Sequence, residues 1–447
     1  MKGSGKKILS GLLACILAGF PLTACGNPGN TPGSGDGSTP AVTFTMFQFK
    51  VEAKDAFQKA VDAYQKEHPN VTIHMETVGA GGGDYSASLK TKMKSDPPVI
   101  FNYSGPQDMK DWESKLEDLS DQPWVKHISK SSIVDVTKDN KIYGMPFDLE
   151  GYGFVINRKI FEDAGISFDS MLTFEGMKKG FDTLKTKIDS GAMKEKYPHL
   201  EAVMELPAKE TWVIGNHNVN PILAQEFGSA TDAFNSPTLT FKASDAYKKM
   251  IDFQVSYTKN AKNAGALNSV DYSTSLEGGL AIERVAAIQQ GNWIAPSVAN
   301  TDESVLEKLD MLPYPVPGYS DGKYFTGVPE YWAVNKDSPD DQKKSAKDFL
   351  NWLYQSETGK KIIIEDAKFA VPYDNYDGLK AGDPLTQRVM NEQTKGNVQP
   401  GWVFGGAPAT WATQVAAVNV QKYLAGDATW EQAVKDCKDQ WTAMRKS

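Results

Sequence analysis

Asp148 and Glu150 stand two residues apart after Met145-Pro146-Phe147, and carboxylates so spaced on a strand face the same side. A glycosidase needs its two carboxyls flanking one bond, about 5–10 Å apart, whereas these two would approach a sugar from one side. No Gly-x-Ser-x-Gly elbow, His-Glu-x-x-His pair or suitable Cys–His combination is present, so no catalytic residues are expected and the chain reads as a non-enzyme. Five histidines and three cysteines supply neither a zinc cluster nor a disulfide framework, so neither metal nor cofactor is expected. The run Gly79-Ala80-Gly81-Gly82-Gly83-Asp84 puts an aspartate where a dinucleotide fingerprint has its third glycine, and no Lys-Ser/Thr pair follows; an acid there repels phosphate. It reads as a loop supplying Asp84 and Tyr85, for a ligand contact or for helix capping.

The elements that must carry such residues alternate. Val42 to Phe49 (VTFTMFQF) is β-branched and aromatic, and Ala53, Phe57, Ala60, Val61 and Tyr64 then recur at helical spacing until Pro69-Asn70. Val71 to Glu76 reads as a second strand, a helix runs from the glycine cluster to about Lys94, and Pro97 to Phe101 contains a third strand. Strands separated by helices of this length pair in parallel through right-handed crossovers, which makes the fold class α/β. Ligands of such sheets bind outside the carboxyl ends of the strands. Those places are Gln48 to Lys50, Gly79 to Tyr85 and Asn102 to Asp108.

The whole chain of 447 residues has a net charge of -8 and 11% aromatic residues. Such a balance suits a globular protein with sizeable cores and argues against nucleic acid as a partner. Lys2, Lys6 and Lys7 precede an apolar run from Ile8 to Phe20 that is too short to span a bilayer but suits a secretory signal. Leu22-Thr23-Ala24-Cys25 resembles the lipobox of bacterial lipoproteins, which implies a signal peptide over 1–24 and a lipid on Cys25. Residues 25–41 then form an anchor and tether, Gly- and Pro-rich, with a reach of roughly 20–25 Å. The expected location is the extracellular face of the bacterial cytoplasmic membrane.

Three segments carry a wider resemblance. Asn140-Lys141-Ile142-Tyr143-Gly144-Met145-Pro146 is followed by Gly151-Tyr152-Gly153 and by Asn157 to Ile166; Ala286 to Trp293 reads AAIQQGNW; Tyr331-Trp332-Ala333-Val334-Asn335 precedes a helix from Ser345 through Trp352. In order and spacing these resemble the extracellular solute-binding proteins of bacterial carbohydrate ABC importers, the family that includes the maltodextrin-binding proteins. The resemblance implies a two-lobed, periplasmic-binding-protein-like (Venus-flytrap) fold. One lobe would be residues 42–149 plus 333–385, the other 150–332 plus 386–447. Hinge crossings would lie near Leu149 to Tyr152, Thr326 to Trp332 and Pro384 to Met390, and Ala286 to Trp293 would be a helix and turn. It further implies a monomer that hands a sugar to membrane permease subunits; a non-sugar solute, or adhesion to a surface polysaccharide, is the alternative.

A pyranose has a rim of hydroxyls and an apolar C–H face, so its site needs flat rings and bidentate polar side chains. Trp293 holds the Gly-x-Trp position and is the first ring expected in the cleft. Trp212 and His217 lie in one polar-aromatic segment, Trp332 follows Glu330 at the second crossing, and Trp402 with Phe404 sits among glycines. Trp112, Trp352, Trp430 and Trp441 fall in helical patterns and read as packing residues, with Trp124 and Trp411 undecided. Polar candidates are Asp148 and Glu150, the latter where the family's sugar-binding glutamate falls, together with Gln48, Tyr103, Ser104, Gln107 and Asp108. Ser104 and Asp108 could equally serve only to cap a helix.

Overall fold

The computed structural model describes residues 40–79, 82–376, 379 and 382–446, the side chains of 82–84 excepted. The signal segment, Cys25, the tether up to Thr39 and the Asp84 side chain lie outside the described residues.

The opening alternation is β1 (Val42–Gln48), α1 (Lys54–Glu67), β2 (Val71–Thr77), α2 (Gly82–Ser95), β3 (Ile100–Tyr103) and α3 (Gly105–Trp112). A small hairpin, β4 (Thr137–Lys138) with β5 (Lys141–Ile142), precedes β6 (Met145–Pro146). Then come β7 (Glu150–Asn157), β8 (Ala202–Glu205), β9 (Val285–Gly291), β10 (Leu309–Leu312), β11 (Tyr324–Gly327), β12 (Tyr331–Val334) and β13 (Val398–Pro400). β1 forms because its β-branched and aromatic residues fill a half-buried pleat, and α1 turns Phe57, Ala60, Val61 and Tyr64 inward.

Two sheets result. The first has the order β2-β1-β3-β12-β6, and the second β13-β11-β7-β9-β8 with β10 also on β7. β1 is parallel to β2 and β3, but β7 is antiparallel to β9, β10 and β11. Each sheet has its own hydrophobic core, one around Phe57 and Phe101, the other around Phe154 and Ile288. The molecule is a two-lobed α/β protein. The chain passes from the first sheet to the second between Pro146 and Glu150, and returns between Gly327 and Tyr331. Tyr373 and Tyr376 still pack in the first core, whereas Leu385 and Val389, on the helix Pro384–Thr394, pack in the second.

Two expectations are corrected here. Ala286 to Gly291 is a strand: β9 lies between β7 and β8 and is buried from end to end. Two alanines, an isoleucine and two adjacent glutamines, all buried, show no alternation by which to tell a strand from a helix. Trp332 does not reach the cleft. It is fully buried in the first core against Phe57 and Phe147, with ring centroids 5.6 and 4.7 Å away, and its Nε1 donates to the Tyr354 hydroxyl at 3.0 Å.

The lobes also touch away from the crossings. Gly105, at φ +54°, begins α3 so close to the second lobe that a Cβ there would lie 2.8 Å from the Gly405 carbonyl oxygen. Arg445 Nη1 donates to Gln107 Oε1 at 2.9 Å, and Thr231 Oγ1 to Asp135 Oδ1 at 3.0 Å. The described conformation is closed on this side.

Candidate functional site

Between the lobes is a cavity of about 370 Å³. Its first-lobe wall comes from the carboxyl ends of β1 and β3 with α2 and α3, where the sheet topology places ligands. Phe49, Lys50, Tyr85, Asn102, Tyr103, Ser104, Gln107, Asp108 and Trp112 contribute there. The facing wall carries Trp212, His217, Tyr272, Trp293, Trp402 and Phe404, and the crossings contribute Glu150 and Glu330.

The aromatic wall is built inward from Tyr152 on β7. His217 stacks on it with centroids 5.1 Å apart and planes at 20°, while Trp402 meets it edge-on at 5.6 Å. Trp293 lies 4.7 Å from the His217 ring, and Trp212 meets His217 edge-on at 5.1 Å. Trp293 Nε1 donates to Gln290 Oε1 at 2.9 Å and Trp212 Nε1 to Glu210 Oε2 at 3.1 Å, which fixes the indoles. Trp293 needs Gly291: a Cβ at that position would fall 2.1 Å from the indole ring. Trp212–His217 is a π-helical turn, a wide geometry often found at functional sites. Burial, then the Lys50 charge, pulls the His217 imidazole down to about 3, and its Nδ1 has no partner.

At the cavity floor Lys50 Nζ bonds Glu150 Oε1 and lies 3.8 Å from Asp148 Oδ2, with all three residues buried. The pair ties the loop after β1 to the first residue of β7, across the seam between lobes. The same ammonium sits 6.0 Å from the Trp293 ring, within cation–π range. Burial pushes the Asp148 carboxyl up to about 6 despite Lys50. Asp148 does not line the cavity, so its expected ligand contact is replaced by a role behind Lys50. Gln48 is corrected likewise: its Nε2 donates to Thr77 Oγ1 at 2.6 Å and its Oε1 accepts from the Lys50 N–H at 2.6 Å, so the amide is spent on its own loop.

On α3, Asp108 Oδ2 accepts from Ser104 N and Oγ, both at 3.1 Å. Burial outweighs these bonds and raises its carboxyl to about 6. Asp108 therefore ties down the helix start and lines the cavity as well. Glu330, placed by the return crossing, is pushed well above its ordinary value by burial and then by the Asp108 charge. Tyr85 accepts the Asn102 N–H at 2.7 Å and stacks on Phe47 at 5.1 Å. Gln107 lines the cavity while accepting from Arg445. The Tyr103 ring lines it too, with its hydroxyl unpartnered and packed towards Gly144.

Lys50, Trp112 and Tyr272 are among the contributors that were not foreseen. Lys50 lay in a flagged segment, directly after β1. Trp112, expected in the core, lies one helical turn beyond Asp108 and shares its face. Tyr272 left no signal, because it is brought in from a four-residue helix by tertiary packing alone. Among the described residues no three acidic, His or Cys side chains gather as for a metal ion, and no helix is long and apolar enough to cross a membrane.

Residues 59–373 match the model of the bacterial extracellular solute-binding proteins. The melibiose/raffinose/stachyose-binding protein MelE of Bacillus subtilis is 23% identical over 392 residues, covering 81% of this chain and 84% of that one. The multiple sugar-binding protein of Streptococcus mutans is 22% identical, covering 87% and 88%. A Bacillus licheniformis sugar transporter solved with stachyose superposes with a TM-score of 0.67 at 19% identity, over 90% of this chain and all of that one. The chain belongs to the bacterial extracellular solute-binding protein family, whose members bind solutes and do not catalyse reactions.

Proposed function

We propose that this protein captures a carbohydrate, of oligosaccharide size, between its lobes and delivers it to the permease of an ABC importer. The observation that carries the reading is the cavity's pairing of rings with polar side chains. The second-lobe wall is a set of rings, Trp212, His217, Trp293 and Trp402, and the first-lobe wall sets Asp108, Asn102 and Gln107 among Tyr85, Tyr103 and Trp112, with Glu150 at the crossing. Rings cover the apolar face of a sugar, and bidentate side chains meet its rim, where each unpaired hydroxyl would cost about 1–3 kcal/mol. The sugar-binding relatives named above support the same solute class.

In this mechanism the sugar contacts both walls and stabilises the closed form by its differential affinity for closed over open lobes. The Lys50–Glu150 pair lies where both lobes meet the floor, so it holds the polar end of the site while the rings close from above. The protein acts as a monomer, leashed to the outer face of the membrane beside the permease by the expected lipid on Cys25 and the tether that follows.

Titration calorimetry against a panel of mono- and oligosaccharides tests the reading. Micromolar or tighter binding of at least one sugar is expected; binding confined to amino acids, peptides or polyamines would overturn it. Cys25→Ser should release the protein from the membrane fraction, and retention there would refute the anchor.

A further inference from the structure

The cleft carries an excess of acidic over basic side chains. Five carboxylates line it against two lysines. Lys50 is already held by Glu150 and Asp148, while Lys90 extends from the exposed side of α2. Asp108, Asp111 and Glu330 are left at one end of the cavity and Glu52 at the other. Among the described residues the Glu330 carboxylate has neither a hydrogen bond nor an ion pair, and both bonds to Asp108 go to Oδ2 alone.

A second set of groups is also unsatisfied. Asn102, fully buried on the same wall, has no partner for either side-chain amide atom. The Tyr272 hydroxyl, on a residue 8% exposed, is unpartnered with Glu52 as its strongest charged neighbour. Buried polar atoms left open in a cavity mark where a ligand supplies the missing partners. Lys90 acts on Asp108 and Lys50 on Glu330 without forming an ion pair with either, and desolvated carboxylates with no paired cation mark the charge that ligand should bring. Burial holds Asp108 and Glu330 above their ordinary range, and a neighbouring cation would restore their ionised forms.

We infer that the cleft selects a sugar bearing a protonated amino group, whose ammonium is held by Asp108 and Glu330 while its ring lies against the tryptophan wall. This rests on the carbohydrate reading and narrows it to amino sugars. Uronic acids are excluded by the same charge.

The test is calorimetry on the full chain with glucosamine- and galactosamine-based oligosaccharides, their neutral hydroxyl counterparts and their N-acetylated forms, with spermidine as a non-sugar amine. At pH 7 at least one amino sugar should bind tenfold or more tightly than both its counterparts. Asp108→Asn combined with Glu330→Gln should erase that preference. Equal or tighter binding of every neutral or acetylated counterpart overturns the inference and leaves the carbohydrate function standing. Spermidine binding without any sugar overturns both, and failure of every amino sugar to bind overturns the inference alone. A preference that survives the double substitution removes Asp108 and Glu330 from the role.

Discussion

Asp148 is the residue whose burial has the clearest energetic sign. Its carboxyl holds a proton up to about 6, against 3.8 for the ordinary group, because desolvation outweighs Lys50. A raised folded value means stability is complete below the ordinary range, is lost as pH climbs to about 6, and is constant above. Asp148→Asn should therefore melt higher than the parent at pH 7.5, by about 3 kcal/mol of stability, and no higher at pH 4. Calorimetric melting at the two pH values decides, and an equal difference at both would sink the account. His217, pulled down to about 3, runs the other way: its neutral burial costs stability as pH falls below 6.5. At this scale much of the cleft was legible, because Trp212, His217, Trp293 and Trp402 are rings next to polar loops. Gln48 and Lys50 were inverted, since which of two neighbouring residues turns back into its loop depends on hydrogen bonds that spacing does not reveal.

Among the elements, β9 teaches most. Read as a helix, Ala286 to Gly291 would carry Trp293 into a loop; as the strand between β7 and β8 it delivers the indole against Tyr152 and Lys50. Gly291→Ala would set a Cβ 2.1 Å from that ring and 2.4 Å from the Gly151 carbonyl oxygen. We expect it to lower stability by about 1–3 kcal/mol through overpacking and to cut ligand affinity at least tenfold by displacing Trp293. Calorimetry of folding and of binding reads both effects, and retention of affinity would show that Trp293 does not cover the ligand. The first three strands were legible as β-branched and aromatic runs bounded by turn residues, and α1 as apolar residues at helical spacing. β9 was not, because its alanines and adjacent glutamines, buried on both faces, carry neither a strand's alternation nor its β-branched bias.

For the whole molecule, the α/β class and two lobes followed from strand–helix alternation and from the three matching segments, while the contact of lobe on lobe had no trace in the sequence. That contact sets a condition on closure: α3 must begin with a residue lacking a Cβ, since Gly105 meets Gly405 backbone to backbone. Gly105→Ala should hold the lobes apart. Solution scattering should then show a larger radius of gyration with ligand than the parent has, together with weaker binding. Compaction equal to the parent's would refute the role of this contact, and a parent profile unchanged by a tightly bound sugar would refute lobe closure itself.

The division of the ten tryptophans between cleft and interior has an optical consequence. Trp112, Trp212, Trp293 and Trp402 line the cavity, Trp124, Trp332, Trp411, Trp430 and Trp441 are buried away from it, and Trp352 is half-buried with its Nε1 bonded to Glu67. Ultraviolet emission of the protein is thus a sum of a nearly constant interior signal and a part that responds to whatever displaces water from the cleft. With Lys50 close to the Trp293 ring, that responsive part senses charge as well as polarity. A ligand's arrival, and its ionic character, can be followed by intrinsic fluorescence without attaching any dye.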